Sequence, residues 1–196
     1  MSPNFQPSRR VADAVALATT LHADQTRKAT GIPYLSHLMG VACLVMEHGG
    51  DEDQTIAGLL HDAVEDAGTH AEAQIRAQFG ERVTRIVLGC TDGVPDEHGE
   101  KGDWHTRKQR YLDHLHDASA ETLLVSGCDK LHNARAIVSD LNTHGPKMFS
   151  RFNAGKDGTL WYYDQLASVF QTRLPSPLAD ELTRTVAEMK RLASSN

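Results

Sequence analysis

The sequence predicts an all-α, single-domain helical bundle. Apolar residues recur at helical spacing through most of the chain, and the segments so marked are bounded by capping residues, glycines and prolines. No stretch forms a convincing ladder of alternating apolar and polar residues, and there is no internal repeat. A length of 196 residues suits one domain with a substantial core better than two very small ones.

Residues 1–7 read as a disordered lead. From Ser8, the positions Val11, Ala14, Val15, Ala18 and Leu21 keep helical spacing, so a first helix runs to about Asp24. Gln25 to Gly31 is a polar loop carrying Arg27 and Lys28. Ile32-Pro33-Tyr34 leaves it extended, because the residue before a proline avoids the α region. Ser36 is the expected cap of a second helix in which His37, Val41, Leu44, Val45 and His48 share a face, and Gly49-Gly50 ends it.

Asp51, with Gln54 three residues on, forms a capping box for a central helix over 52–66. Ile56, Ala57, Leu59, Leu60, Ala63 and Val64 cover more than one face of it, as suits the middle of a bundle. Within this apolar run stand His61 and Asp62, and one turn later Glu65 and Asp66. Helical spacing sets His61 beside Glu65 and Asp62 beside Asp66. Buried carboxylates need a compensating cation, and a metal ion is the economical one.

Gly68-Thr69 breaks the pattern, and helices over 70–79 and 81–90 follow. Residues 92–103 are a polar loop rich in turn formers. Helices are expected at about 104–117 and 119–140, the second carrying Leu123, Leu124, Val125, Cys128 and Leu131 around Asp129. A short strand over 123–128 is conceivable, but the helical reading is preferred. Residues 143–158 form another polar loop. The last helices lie near 159–172 and 176–193, separated by Pro175 and Pro177.

Composition narrows the function. A formal net charge of −6 argues against a general nucleic-acid binder, whose footprint is a basic excess. No apolar stretch approaches the roughly 18 residues that span a bilayer. The polar N-terminus does not resemble a signal peptide, so the expected setting is the cytoplasm. Cys43, Cys90 and Cys128 are far apart and lack CxxC pairing, and are expected to be buried, reduced thiols. The 11 histidines are many for this length. Three segments offer metal ligands in apolar surroundings: His37, the His61-Asp62 pair, and Asp129. A set of two histidines and two aspartates suits a borderline-hard divalent ion such as Mn²⁺, Fe²⁺ or Mg²⁺.

At these residues the chain resembles the HD-domain phosphohydrolases, and within them the RelA/SpoT-type small alarmone hydrolases. The segments that carry the resemblance are His22-Ala-Asp-Gln-Thr-Arg27-Lys28, Gly31-Ile-Pro-Tyr-Leu-Ser-His37, Leu59-Leu-His61-Asp62-Ala-Val-Glu65-Asp66, Phe79-Gly80 and Asp129-Lys-Leu-His-Asn133. They fall in order within about residues 10–140. The resemblance implies an all-helical, Mn²⁺-dependent enzyme that removes the 3′-pyrophosphate of (p)ppGpp, giving GDP or GTP and pyrophosphate. It implies His37, His61, Asp62 and Asp129 as metal ligands, and Glu65 and Asp66 as the residues that orient and activate the attacking water. It also implies Asn133, Arg27 and Lys28 as contacts of a small-molecule nucleotide substrate.

The sequence departs from that family at Leu38, where proline usually follows the ligand histidine. It departs again at Ala136, where threonine is usual near the substrate, and the pattern fades past residue 140. A related hydrolase acting on ppApp, on the 2′-phosphate of NADPH or on another nucleotide would keep the same metal centre. A non-catalytic nucleotide sensor is the reading from a different class. His22 is expected to pack, and His132 to pack or to support a ligand by a hydrogen bond. His98, His105, His114 and His116 are expected at the surface. Lys147, Arg151 and Lys156 are lesser candidates for phosphate contacts, as is one of Trp161, Tyr162 and Tyr163 for stacking on a base.

Overall fold

The structure, a computed structural model, describes residues 5–28, 30–93 and 102–194, without the side chains of Asp66 and Ala67. Among the described residues there are nine α-helices and no β-strand. They are α1 (Arg9–Leu21), α2 (Leu35–Glu47), α3 (Glu52–Leu60), α4 (Ala63–Phe79), α5 (Glu81–Cys90), α6 (Trp104–Asp117), α7 (Ala120–His144), α8 (Gly155–Arg173) and α9 (Pro177–Ala193). The all-α expectation holds, and the 123–128 segment lies inside α7.

Local chemistry sets the helix starts. The side chain of Ser8 accepts a hydrogen bond from the Arg10 backbone and caps α1. Asp51 and Gln54 form the expected reciprocal capping box at α3. The side chains of Asp103, Ser119 and Ser176 each accept one backbone N–H and cap α6, α7 and α9. Ser36 does not cap α2. That helix begins one residue earlier, at Leu35, after Tyr34.

Helix α7 is the centre of the bundle, packing against α2, α3, α5, α8 and α9. Leu131, Cys128 and Val125 of α7, Ile56 and Leu60 of α3, and Leu38 and Val41 of α2 are fully buried. Ion pairs bind the outside. Arg10 of α1 meets Glu52 and Asp53 at the start of α3, and Arg82 of α5 reaches Asp51, Asp53 and Glu121.

Four expectations are corrected. The central helix is not continuous over 52–66: α3 ends at Leu60, and His61 and Asp62 form the turn into α4. The 143–158 segment is not a loop. It holds a 3-10 helix, Gly145–Arg151, whose Met148 and Phe149 are buried, and the first turn of α8. Apolar side chains there gave the backbone a surface to pack on, which a purely polar reading overlooked. Helix α7 likewise runs to His144. Cys43 is exposed, whereas Cys90 and Cys128 are buried as expected.

The break at Gly68 is as expected, with φ 68° and ψ −156°, a conformation open to glycine. Residues 1–4 of the N-terminal lead, and 94–101 of the 92–103 loop with His98, lie outside the described residues.

Candidate active site

Two helices and one turn between helices bring the site together. Helix α2 presents His37, the α3–α4 turn presents His61 and Asp62, and α7 presents Asp129. The two imidazoles lie 5.2 Å apart between centroids, nearly edge-on at 71°. One ligand atom each from His37, His61 and Asp129 falls within 4.8 Å of the others. Asp129 Oδ1 is 3.2 Å from His37 Nε2 and 3.5 Å from His61 Nε2. Asp62 Oδ2 is 3.1 Å from His61 Nε2 and 3.7 Å from His37 Nε2. All four sequence-derived candidates therefore meet at one point.

The ring orientations are set from behind. His61 Nδ1 lies 2.9 Å from the carbonyl of Gly58, one turn back in α3. His37 Nδ1 lies 2.9 Å from Nδ1 of His132. The His132 ring fits because position 40 is glycine. A Cβ there would stand 2.3 Å from His132 Nε2. Both Nε2 atoms at the centre, of His37 and of His61, are buried and make no hydrogen bond of acceptable geometry, although carboxylate oxygens are near. Buried nitrogens so placed are costly unless something accepts their lone pairs.

The carboxylates are also fixed. The Tyr34 hydroxyl donates to Asp62 Oδ2 at 2.5 Å. Asn133 Nδ2 donates to Asp129 Oδ1 and Lys130 Nζ to Asp129 Oδ2, each at 2.6 Å. Burial alone would raise the Asp129 pKa, but Lys130 and His61 hold it well below the ordinary carboxylate value. Asp62 is likewise lowered against its burial, mainly by His61. Burial opposes the charged form of His61 too, yet Asp62 and Asp129 hold its pKa well above the usual imidazole value. His37 is lowered by burial, and His132 is pushed down to about 4 by burial and by its neighbour His37. The two aspartates thus favour the charged form of His61 against its burial.

The donor set is imidazole nitrogen and carboxylate oxygen without thiolate, which fits a borderline-hard divalent ion. Two lone pairs left without hydrogen bonds and two carboxylates depressed in pKa are what such an ion would use.

A cavity of about 660 Å³ adjoins this cluster. Tyr34, Lys130 and Asn133, which hold the aspartates, also line it. Glu65 is half-buried on its wall. The Asp66 side chain lies outside the described residues. Arg27 and Lys28 line the cavity as well. Their loop is pinned by a bridge between Thr26 and Pro33, with Arg27 N donating to Ile32 O at 2.8 Å, and Lys28 Nζ reaches Asn153 Oδ1 at 3.2 Å.

Sequence reasoning missed further cations on this wall. Arg107 and Lys108 of α6 line the cavity, both paired with the buried Asp92, and Lys130 completes the group. Lys130 stands 4.8 Å from the centre of the Tyr111 ring, and Lys108 5.0 Å from that of Tyr162. The adjacent basic pair at 107–108 was the available signal, but α6 reads as a solvated helix until its partner α8 is placed.

Three other candidates are not in the cavity wall. Lys147 is exposed, Arg151 faces Asp140, and Lys156 Nζ donates to the carbonyl of Ala193. Tyr162 and Tyr163 are buried on the wall, whereas Trp161 stacks on His105 outside it. His22 is buried against Tyr34, 5.4 Å between rings. His105, His114 and His116 are exposed, as expected.

A family model described as an HD domain matches residues 14–160. The chain is 36% identical over 141 residues to guanosine-3′,5′-bis(diphosphate) 3′-pyrophosphohydrolase MESH1 of Danio rerio, a match covering 70% of this chain and 72% of that protein. It is 34% identical over 131 residues to a probable guanosine-3′,5′-bis(diphosphate) 3′-pyrophosphohydrolase of Synechocystis sp., where it covers 67% of this chain but spans only 17% of the relative's length. A solved structure of a metazoan orthologue of SpoT that hydrolyses ppGpp superimposes with a TM-score of 0.73 at 23% identity, over 97% of this chain and 98% of that one, which establishes a shared fold.

Proposed function

Because this chain belongs to the HD-domain family, together with relatives of the MESH1 type, we propose that it is a metal-dependent hydrolase removing the 3′-pyrophosphate of (p)ppGpp. One observation carries the proposal. His37, His61, Asp62 and Asp129 converge with two imidazole nitrogens left without hydrogen bonds, behind a cavity lined by cations and by Tyr34, Lys130 and Asn133, which hold the two aspartates.

We assign those four residues as the ligands of a divalent ion, with Mn²⁺ as the proposed ion. Such an ion lowers the pKa of bound water and polarises a phosphoryl oxygen. Glu65 and Asp66 are the proposed acceptors of the proton that the attacking water loses. The water oxygen bonds to the phosphorus joined to O3′ of the nucleotide, and the bond from that phosphorus to O3′ breaks. The leaving O3′ takes up a proton, and GDP or GTP and pyrophosphate result.

Arg107, Lys108 and Lys130 offset the charge of the transferring group. Lys130 keeps its proton because the neighbouring Asp129 outweighs the effect of burial. Arg27 and Lys28 meet the nucleotide from the loop opposite. Asn133 lines the same wall while its amide holds Asp129, so it links substrate position to ligand position. An intracellular nucleotide as substrate makes the cytoplasm the proposed compartment, and no helix among the described residues is long and apolar enough to cross a membrane.

The test is incubation of the purified protein with Mn²⁺ and ppGpp, following pyrophosphate. Release that is abolished by Asp62→Ala and Asp129→Ala is expected. Absence of release from the wild-type protein, with turnover of ppApp or of the NADPH 2′-phosphate instead, would move the assignment to another nucleotide. Tight nucleotide binding without any turnover would favour a sensor.

A further inference from the structure

We propose that Trp104 is the surface on which the base of the substrate stacks, an inference that rests on the nucleotide reading of the cavity. Trp104 is the first residue of α6, fixed there by the Asp103 cap, whose carboxylate accepts from the Thr106 backbone at 2.8 Å. It is half-buried and forms part of the cavity wall.

The way its neighbours hold the ring supports this role. Trp161 and Tyr162 meet it edge-on, at 6.3 Å and 65° and at 5.9 Å and 76°. His105, its neighbour in the chain, is also edge-on, at 74°. Among the described residues no ring therefore stacks parallel to Trp104. Trp161 differs: His105 already stacks on it, at 4.3 Å and 19°. Opposite Trp104, position 158 of α8 is glycine, although its backbone is helical. A Cβ there would come within 3.6 Å of the indole and 2.7 Å of the Ala154 Cβ. The glycine relieves a clash with Ala154, and the indole edge rests at ordinary contact distance from α8.

A second observation points to a ligand at the same place. The hydroxyl of Tyr162 is buried, on a residue that lines this cavity, and it makes no hydrogen bond. The Trp104–Tyr162 wall thus offers an aromatic ring without a parallel partner beside an unused hydroxyl. The cations of the cavity suit phosphates, and a flat heteroaromatic group with polar edges suits this wall. Stacking of a base on an aromatic side chain tolerates different bases, so Trp104 supplies affinity for the nucleoside and not discrimination of guanine from adenine.

The chain has two tryptophans, so Trp161→Phe leaves Trp104 as the single indole reporter. In that variant, loaded with Mn²⁺, GDP and ADP are expected to quench or shift the emission, and pyrophosphate is not. Trp104→Leu is expected to raise KM for ppGpp about tenfold or more with kcat little changed, while Trp104→Phe stays near wild type. An unchanged KM in Trp104→Leu, or no emission change with any nucleotide, overturns the proposal. The two readings fail separately. Hydrolysis of ppGpp without a Trp104 signal removes the stacking role alone. A Trp104 signal with nucleotides but no hydrolysis removes the activity and leaves the stacking role.

Discussion

His132 and His37 share one short contact, with Nδ1 of one 2.9 Å from Nδ1 of the other. Only one of these nitrogens carries the proton. With the His132 pKa near 4, that ring is neutral at physiological pH. If His37 offers its Nε2 lone pair to an ion, its own proton sits on Nδ1 and His132 Nδ1 accepts it. In that case His132 would fix both the tautomer and the angle of the proposed ligand His37 without itself touching the ion.

Replacing it tests that division. His132→Ala is expected to weaken metal binding or activity about 10- to 100-fold, while the far-ultraviolet circular dichroism stays that of the wild type. Full Mn²⁺ affinity and full activity in His132→Ala would show that packing alone orients His37.

The same geometry makes a prediction at a residue with no functional group. In Gly40→Ala the new Cβ would lie 2.3 Å from His132 Nε2, so the ring must move away from His37. The variant is expected to fold and to share the metal-binding defect of His132→Ala. Combining the two substitutions should add little, because they act on one contact. Additive losses would mean that Gly40 acts through something else.

Metal binding should depend on pH with a defined sign. Without an ion, Asp62 and Asp129 raise the His61 pKa well above the usual value, whereas ligation requires the neutral ring. Calorimetry in buffers of different ionisation enthalpy is expected to report about one proton released per ion bound. The affinity should rise with pH until the raised pKa is passed. Stability of the ion-free protein follows the opposite course. The contribution of His61⁺ is complete below its unfolded pKa of about 6.5 and is lost as pH rises through the folded value. The contribution of Asp129, whose pKa is depressed, is present above about 3.9 and lost on acidification. Binding without proton release would contradict this account.

Asp92 organises the cationic wall. Its side chain is 4% exposed and receives Arg107 Nη1 at 2.7 Å together with Lys108 Nζ. Burial alone would raise its pKa, but Lys108 holds it below the ordinary carboxylate value. Asp92→Asn leaves two cations without their counter-charge and is expected to cost about 1–3 kcal/mol, seen as a lower Tm at pH 7. Because the contribution of a depressed carboxylate is complete above its unfolded pKa of about 3.9 and is lost as pH falls toward and through the lower folded value, the gap from wild type should narrow near pH 3. A gap that stays constant between pH 7 and pH 3 would place the effect in packing instead of charge.

The sequence by itself determined most of the helices and which His and Asp side chains gather at the candidate metal site. Ser8, Asp51 with Gln54, and Gly68 state their roles locally, because a cap or a positive φ is a property of a few consecutive residues. His37, His61, Asp62 and Asp129 were legible because charged and imidazole groups interrupt apolar runs, where burial without a partner is expensive. The tertiary structure decided what surrounds them. That His61 and Asp62 form a turn between two helices, that Met148 and Phe149 fold the 145–151 segment onto the core, and that Asn133 holds Asp129 follow from packing between elements. The cavity wall depends on it most. Trp104 and Lys108 of α6 and Tyr162 of α8 come from helices some fifty residues apart in the chain, and α6 carries no mark of the face it turns to α8 until the two meet. Local patterns encode local energies, whereas a binding wall is built from contacts whose sequence separation leaves no periodic trace.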